Sequence, residues 1–233
     1  MQETDPEGVE IRASKRLVRR AYFAKGPNYI SHIDGYDKLK PFGLCISGSI
    51  DGFSSRIIWL NVYNTNNNPR IIGRYFLESV KQIRGSPCIV IGDCGTENGH
   101  VRDFQTFFHR NSSFGNVYMS GASTCNQRIE SWWGFLRREC TQFWIELFRS
   151  MEEEGLYNGD FLDKNLVQFC FMALIQDELD DIAEIWNTHK IRPSRNQNWP
   201  SGRPDLMYFT PMLWGSEDYL CSVPDEELYV CAT

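Results

Sequence analysis

The chain has 233 residues, 42% of them hydrophobic, and a formal net charge of −6. That supports one sizeable core, and the acidic sum weighs against a nucleic-acid-binding surface, which normally needs a basic face. No apolar run is long enough to span a bilayer and the stretch from Met1 to Glu7 has no hydrophobic signal region, so no membrane association and a nuclear or cytoplasmic location are expected.

Residues 1 to about 11 are acidic and unpatterned and are expected to be disordered. A short basic helix follows to about Ala24, carrying Arg12, Lys15, Arg16, Arg19 and Arg20, a candidate nucleic-acid-binding arm or nuclear address. Gly26-Pro27-Asn28 breaks the chain. Three strands are predicted as a meander, Tyr29 to Asp34, Gly43 to Asp51 and Arg56 to Tyr63, apolar enough to be covered on both faces, with Asp51-Gly52 at the hairpin. A helix is predicted from Pro69 to Ile83, with Ile72, Phe76 and Val80 on one face.

Pro87 to Ile91 reads as a buried strand, which puts Asp93 at its carboxyl end, where the glycine-rich turn Gly92 to Gly99 begins. α/β sheets place their chemistry at such ends, although a lone Asp-x-Gly is most simply a turn cap. A short helix at about Val101 to Arg110 and a small strand at Asn116 to Met119 come next. Gly121 to Thr124 forms a flexible approach to a long amphipathic helix that opens Asn126-Gln127-Arg128-Ile129-Glu130. Its expected core stripe is Ile129, Trp132, Leu136, Cys140, Phe143 and Leu147, with Arg128, Arg137 and Arg138 outside it and the tryptophans packing rather than stacking on bases. After a break at Gly155 to Gly159, a helix from about Phe161 to Trp186 is expected to be apolar on one side and acidic on the other. The stretch after Gly215 shows no assignable pattern.

Acid is concentrated at Glu152 to Glu154, Asp177 to Asp181 and Asp225 to Glu227, while base gathers near Arg12 to Arg20 and along the Glu130 helix, so the net charge understates the basic surface. Eight cysteines contain no Cys-x-x-Cys pair and no zinc spacing, so no zinc-binding domain is expected; Cys45, Cys88 and Cys170 sit in apolar runs, as buried free thiols of a reducing compartment would.

Tyr29 to Gly35 is a strand ending in Asp34-Gly35; Asp93 lies in Gly-Asp-x-Gly-Thr-Glu-Asn; Glu130 follows Asn-Gln-Arg-Ile, with thirty-six residues between Asp93 and Glu130. In this order the motifs resemble the DDE catalytic core of retroviral-type integrases and transposases, most closely the transposon-derived integrase core proteins of animal genomes. The likeness runs from about Arg16 to Gly215 and includes the Asn187 to Pro193 stretch and Thr210-Pro211. It implies an α/β fold, a ribonuclease H-like mixed five-stranded sheet flanked by helices, with an acidic then basic N-terminal arm (1–24), a catalytic core (25–215) and a C-terminal tail (216–233).

The resemblance further implies DNA end processing and strand transfer with Mg²⁺ or Mn²⁺, Asp34 and Asp93 sharing one ion and Asp34 with Glu130 holding a second. Hard oxygen ligands suit such a pair. Asp51 rivals Asp34 locally, but the family has a second Asp-Gly at this hairpin followed by a Ser-Arg pair, here Ser55-Arg56, which makes Asp51 the turn residue. His32 and Asp37 are lesser candidates. Gln127, Gly134 and Arg137 share the Glu130 side of the helix, and Gln127, Arg137, Arg19 and Arg20 are the expected nucleic-acid contacts. Implied partners are transposon or viral DNA ends, target DNA and further copies of the chain. Two other readings stay open: a ribonuclease H-like nuclease with water as its sole nucleophile, and a catalytically idle integrase relic that binds nucleic acid or protein.

Overall fold

Three successive segments form strands, β1 (Ile30–Tyr36), β2 (Cys45–Asp51) and β3 (Ile57–Tyr63), the last of them rich in β-branched and aromatic residues. The computed structural model describes residues 24–112, 115–121, 126–193 and 200–232. The acidic stretch 1–11, the basic stretch 12–23 with Arg19 and Arg20, and residues 122–124 of the approach lie outside the described residues. Helix α1 (Pro69–Ile83) starts on Asn68, whose side chain accepts from the Arg70 N–H at 3.0 Å, and ends at Arg84 in the left-handed conformation, φ 57°. Then follow β4 (Gly85–Ser86), β5 (Ile89–Gly92), α2 (Gly99–Phe108), β6 (Tyr118–Ser120), α3 (Gln127–Leu136), α4 (Gln142–Glu153), α5 (Phe161–Thr188), α6 (Pro204–Phe209), β7 (Cys221–Ser222) and α7 (Asp225–Ala232).

The main sheet runs β3-β2-β1-β5-β6, with β1 antiparallel to β2, β2 to β3, and both β5 and β6 in the parallel sense. It is the mixed five-stranded sheet that the family resemblance implies. Side chains alternate across it. On one face Tyr36, Leu44, Ile46, Leu60 and Val62 meet Trp132, Trp133 and Leu136 of α3, Phe148 of α4 and Ile175 and Leu179 of α5. On the other face Ile33, Trp59 and Val90 meet Ile72, Phe76 and Val80 of α1 and Val101 of α2. The end of α5 is fastened to edge strand β3 by Asn187, whose amide accepts from the Ile57 N–H at 2.8 Å and donates to the Ile57 carbonyl at 3.1 Å. The stretch after Gly215 adds β7, paired with β4, and α7. No helix among the described residues is long and apolar enough to cross a membrane.

Four expectations need correction. A five-residue π turn, Arg137–Thr141, joins α3 to α4. It inserts one residue into the helical count, so the apolar stripe advances by one: Trp144, Ile145 and Phe148 are buried while Phe143 is 60% exposed. Arg128 is not outside the stripe but buried, because it lies one turn before Trp132 on the same face; its Nη1 donates to Ser55 Oγ at 2.8 Å. Cys170 is exposed on α5. The solvent side of α5 is not purely acidic, since it shows Phe161, Leu162, Leu166 and Phe169 to solvent.

Candidate active site

Parallel pairing of β1 with β5 matches His32 with Ile91; Asp34 follows two residues later in β1 and Asp93 two residues later, just past the end of β5, and both line one cleft. Sheet order alone achieves this across a long stretch of sequence. Asp34 points to the face covered by α3, where its Oδ2 accepts from Trp133 Nε1 at 2.8 Å. Gly48 lies opposite Asp34 on β2, and a Cβ there would come within 2.8 Å of the Trp133 ring, so only glycine lets the indole lie this close to the sheet.

Glu130 is exposed in the first turn of α3. That helix is fixed to β1 at its start: Asn126 Nδ2 donates to the Ile33 carbonyl at 2.7 Å and its Oδ1 accepts from His32 Nδ1 at 2.7 Å. Burial lowers the His32 pKa to about 4, so the ring is neutral near pH 7 and its Nδ1 proton serves this bond. His32 is therefore a girder between strand and helix.

Burial raises the Asp34 pKa to about 6; the Trp133 hydrogen bond opposes the rise, and the charges of Glu130 and then Asp93 add to it. Asp34 thus feels both other carboxylates. Among the described residues, however, no three His, Cys, Asp or Glu side chains are gathered closely enough to grip one ion together.

Asp34 and Asp93 line a cleft of about 170 Å³ with Asp37, Ser47, Asn66, Glu97 and Asn98. Asp93 Oδ1 accepts from Asn98 Nδ2 at 2.7 Å and from the Gly95 N–H at 3.2 Å. Glu97 has its pKa raised by burial and by the neighbouring Asp93. Neither Glu97 nor Asn98 was singled out from the sequence beyond the turn that contains them; their signal was the acidic and amide pair four and five residues after Asp93. Trp133 was expected only to pack, yet its ring N–H reaches Asp34.

Asp51 takes no part. It is buried at the opposite end of β1, beside Ser31, and its carboxylate accepts from the N–H groups of Asn28, Phe53 and Ser54 and from Ser54 Oγ. Asp37 pairs with Lys40 at 2.8 Å and accepts from Asn66 at 2.6 Å. Gln127 and Arg137 are exposed on α3 and in the π turn, and Arg137 Nε donates to Gln142 at 3.0 Å.

The integrase core domain family matches residues 21–215. The chain belongs to that family. The integrase fold agrees: the HTLV-2 integrase catalytic core domain in complex with magnesium, in its trimeric form, superposes with a TM-score of 0.50 at 12% identity, covering 79% of this chain and 99% of that one. Its dimeric form gives 0.50 at 12%, with 79% and 98% covered. The simian T-cell lymphotropic virus intasome in complex with PP2A regulatory subunit B56 gamma gives 0.52 at 15%, with 90% and 68% covered. No curated protein matches the chain. The ribonuclease H-like integrase core is therefore the fold of this protein.

Proposed function

We propose that this integrase core is a polynucleotidyl transferase that processes DNA ends and joins them to target DNA, with Asp34, Asp93 and Glu130 as its catalytic carboxylates. The observation that carries the reading is the placement of Asp34 beside Asp93 on parallel strand ends, within electrostatic reach of Glu130. The donors are hard carboxylate oxygens, which fit Mg²⁺ or Mn²⁺, with Asp34 and Asp93 as ligands of one ion and Asp34 and Glu130 of the other. When bound, two such ions supply an activated oxygen nucleophile and neutralise charge at the reacting phosphate. The chain's own part is positional. Trp133 orients Asp34, Asn98 and the Gly95 N–H hold Asp93, and the His32-Asn126 clamp sets the height of Glu130 above β1.

Gln127 and Arg137, on the solvent side of the Glu130 helix, serve this reading as contacts to DNA backbone, with Arg19 and Arg20 as a basic arm, in the nucleus or cytoplasm. The apolar residues exposed on α5 support self-association, as magnesium-bound HTLV-2 cores occur in dimeric and trimeric forms. The rival reading, a binding module without catalysis, draws support from the −6 charge and the open carboxylates.

Nicking and strand transfer on duplex oligonucleotides, with Mg²⁺ or Mn²⁺, separate the two. Glu130→Gln should keep DNA binding and lose roughly a hundredfold to a thousandfold in rate. Equal trace activity in wild type and variant would sink the catalytic reading.

A further inference from the structure

Two segments distant in sequence meet at the entrance to β5. Cys88 stands just before that strand, its N–H donating to the Asn28 carbonyl at 2.8 Å and its side chain buried. Cys221 opens β7, in the stretch whose sequence shows no pattern, and pairs with Ser86 across the antiparallel β4-β7 ladder. The two sulfurs lie 3.6 Å apart, and both thiols face the Tyr219 carbonyl, at 3.2 Å from Cys88 and 3.7 Å from Cys221. We propose that Cys88 and Cys221 form a reversible disulfide when the protein meets a hydroperoxide, a covalent modification that fastens the C-terminal segment to the strand leading to Asp93.

A disulfide has an S–S length of about 2.05 Å, so the sulfurs must close by about 1.6 Å, a movement within reach of side-chain rotation because the ladder that pairs Cys221 with Ser86 holds the two segments together two residues before Cys88. Access differs between the partners. Cys221 is partly exposed and Cys88 is buried, so the oxidant reaches Cys221 first. The hydrogen bond from Cys88 lowers the Cys221 pKa, while that bond and burial push Cys88 up, so the exposed sulfur is the nucleophile and the buried one stays protonated.

The Cys221 thiolate attacks one peroxide oxygen, the O–O bond breaks, and a sulfenic acid forms as the other oxygen leaves and takes up a proton. The Cys88 sulfur then attacks the Cys221 sulfur, the S–O bond breaks, and the departing hydroxide takes the Cys88 proton as water. Two thiols give up two electrons to one peroxide. A dithiol reductant reverses the bond.

The full-length chain treated with hydrogen peroxide at low excess tests this directly, with non-reducing peptide mass spectrometry and thermal melting as readouts. The expected result is one Cys88-Cys221 linkage, a loss of two of the eight thiols titrated after denaturation, and a higher Tm that dithiothreitol returns to the starting value. Cys221→Ser should remove the linkage and the shift, whereas Cys170→Ser, on the exposed face of α5, should keep both. Cross-linking through Cys94 or Cys170 instead, or Cys221 driven to sulfinic acid while Cys88 stays free, overturns the proposal. So does an identical Tm in oxidised and reduced protein. These readouts do not involve DNA, so their failure leaves the catalytic reading to its own assay.

Discussion

Trp133 Nε1 donates to Asp34 Oδ2 at 2.8 Å, joining residues 99 apart in the chain. The bond links the helix that carries Glu130 to the strand that carries Asp34, and it works against the burial that pushes the Asp34 pKa upward. Trp133→Phe keeps the ring and deletes the donor. The Asp34 carboxyl is then expected to titrate above about 6 in metal-free protein, as read by carbon-detected NMR. An unmoved titration would mean that the bond does not exist in solution.

Asp34→Asn should make metal-free protein more stable, by an amount that grows as pH rises from about 4 to about 6 and is complete above that. The folded pKa of Asp34 lies above its unfolded value of 3.8, so the ionised group opposes folding: stability is greatest below that value, falls as pH rises through about 6, and levels off beyond. Asparagine escapes this loss, with a gain on the order of 2 kcal/mol at pH 8 and little change at pH 3. Urea unfolding at the two pH values measures it, and equal gains at both would show that the cause is not ionisation.

Gly48→Ala tests the packing beneath the site. The added methyl would come 2.8 Å from the Trp133 ring and 3.3 Å from Leu60, both buried, so one must give way. Overpacking of this kind costs about 1–3 kcal/mol. Denaturant unfolding should show that loss, and displacement of the indole should also raise the Asp34 pKa, as Trp133→Phe does.

Mg²⁺ or Mn²⁺ should raise the Tm of the wild-type protein, because a cation relieves repulsion among Asp34, Asp93 and Glu130. Asp93→Asn should abolish the response. A metal-dependent shift unchanged in that variant would place the ion elsewhere.

Arg137→Ala should weaken DNA binding without removing metal-dependent chemistry. Losing one phosphate contact lowers the slope of log affinity against log salt by about one. Fluorescence anisotropy over a salt series reads the slope; a variant with reduced nicking and an unchanged slope would contradict a backbone-contact role.

Elements with strong local signals were legible in the sequence. α1 announces itself through Asn68, Pro69 and the Ile72-Phe76-Val80 spacing, and its observed bounds match the prediction. The three strands of the meander and the Asp93 turn were equally plain. The neighbouring of β1 and β5 is a long-range pairing that no local pattern encodes; resemblance supplied it. The position of Phe143 was misread because a π turn leaves no periodic mark before it occurs, only a later one at Trp144, Ile145 and Phe148. The charge of Arg128 argues for solvent, but its one-turn spacing from Trp132 puts it on the buried face, where Ser55 accepts its hydrogen bond. At the candidate site, Trp133 carried two properties at once, a large apolar ring and one N–H donor, and the sequence pattern reported only the first.

The π turn at Arg137–Thr141 also makes the joint between α3 and α4 a place where chain length is negotiable. A π turn is the form that one surplus residue takes inside an α-helix, and Arg137, Arg138 and Glu139 all face solvent there. Excising one of them lets the ladder close as ordinary α-helix while Leu136, Trp144 and Phe148 keep their side. The same excision elsewhere in α4 would rotate everything downstream by about 100° and bring Phe148 toward water. Homologous chains one residue shorter at this seam are thus expected to preserve the same buried face, so a gap there in an alignment records the tolerance of a helix joint rather than a change at the carboxylates.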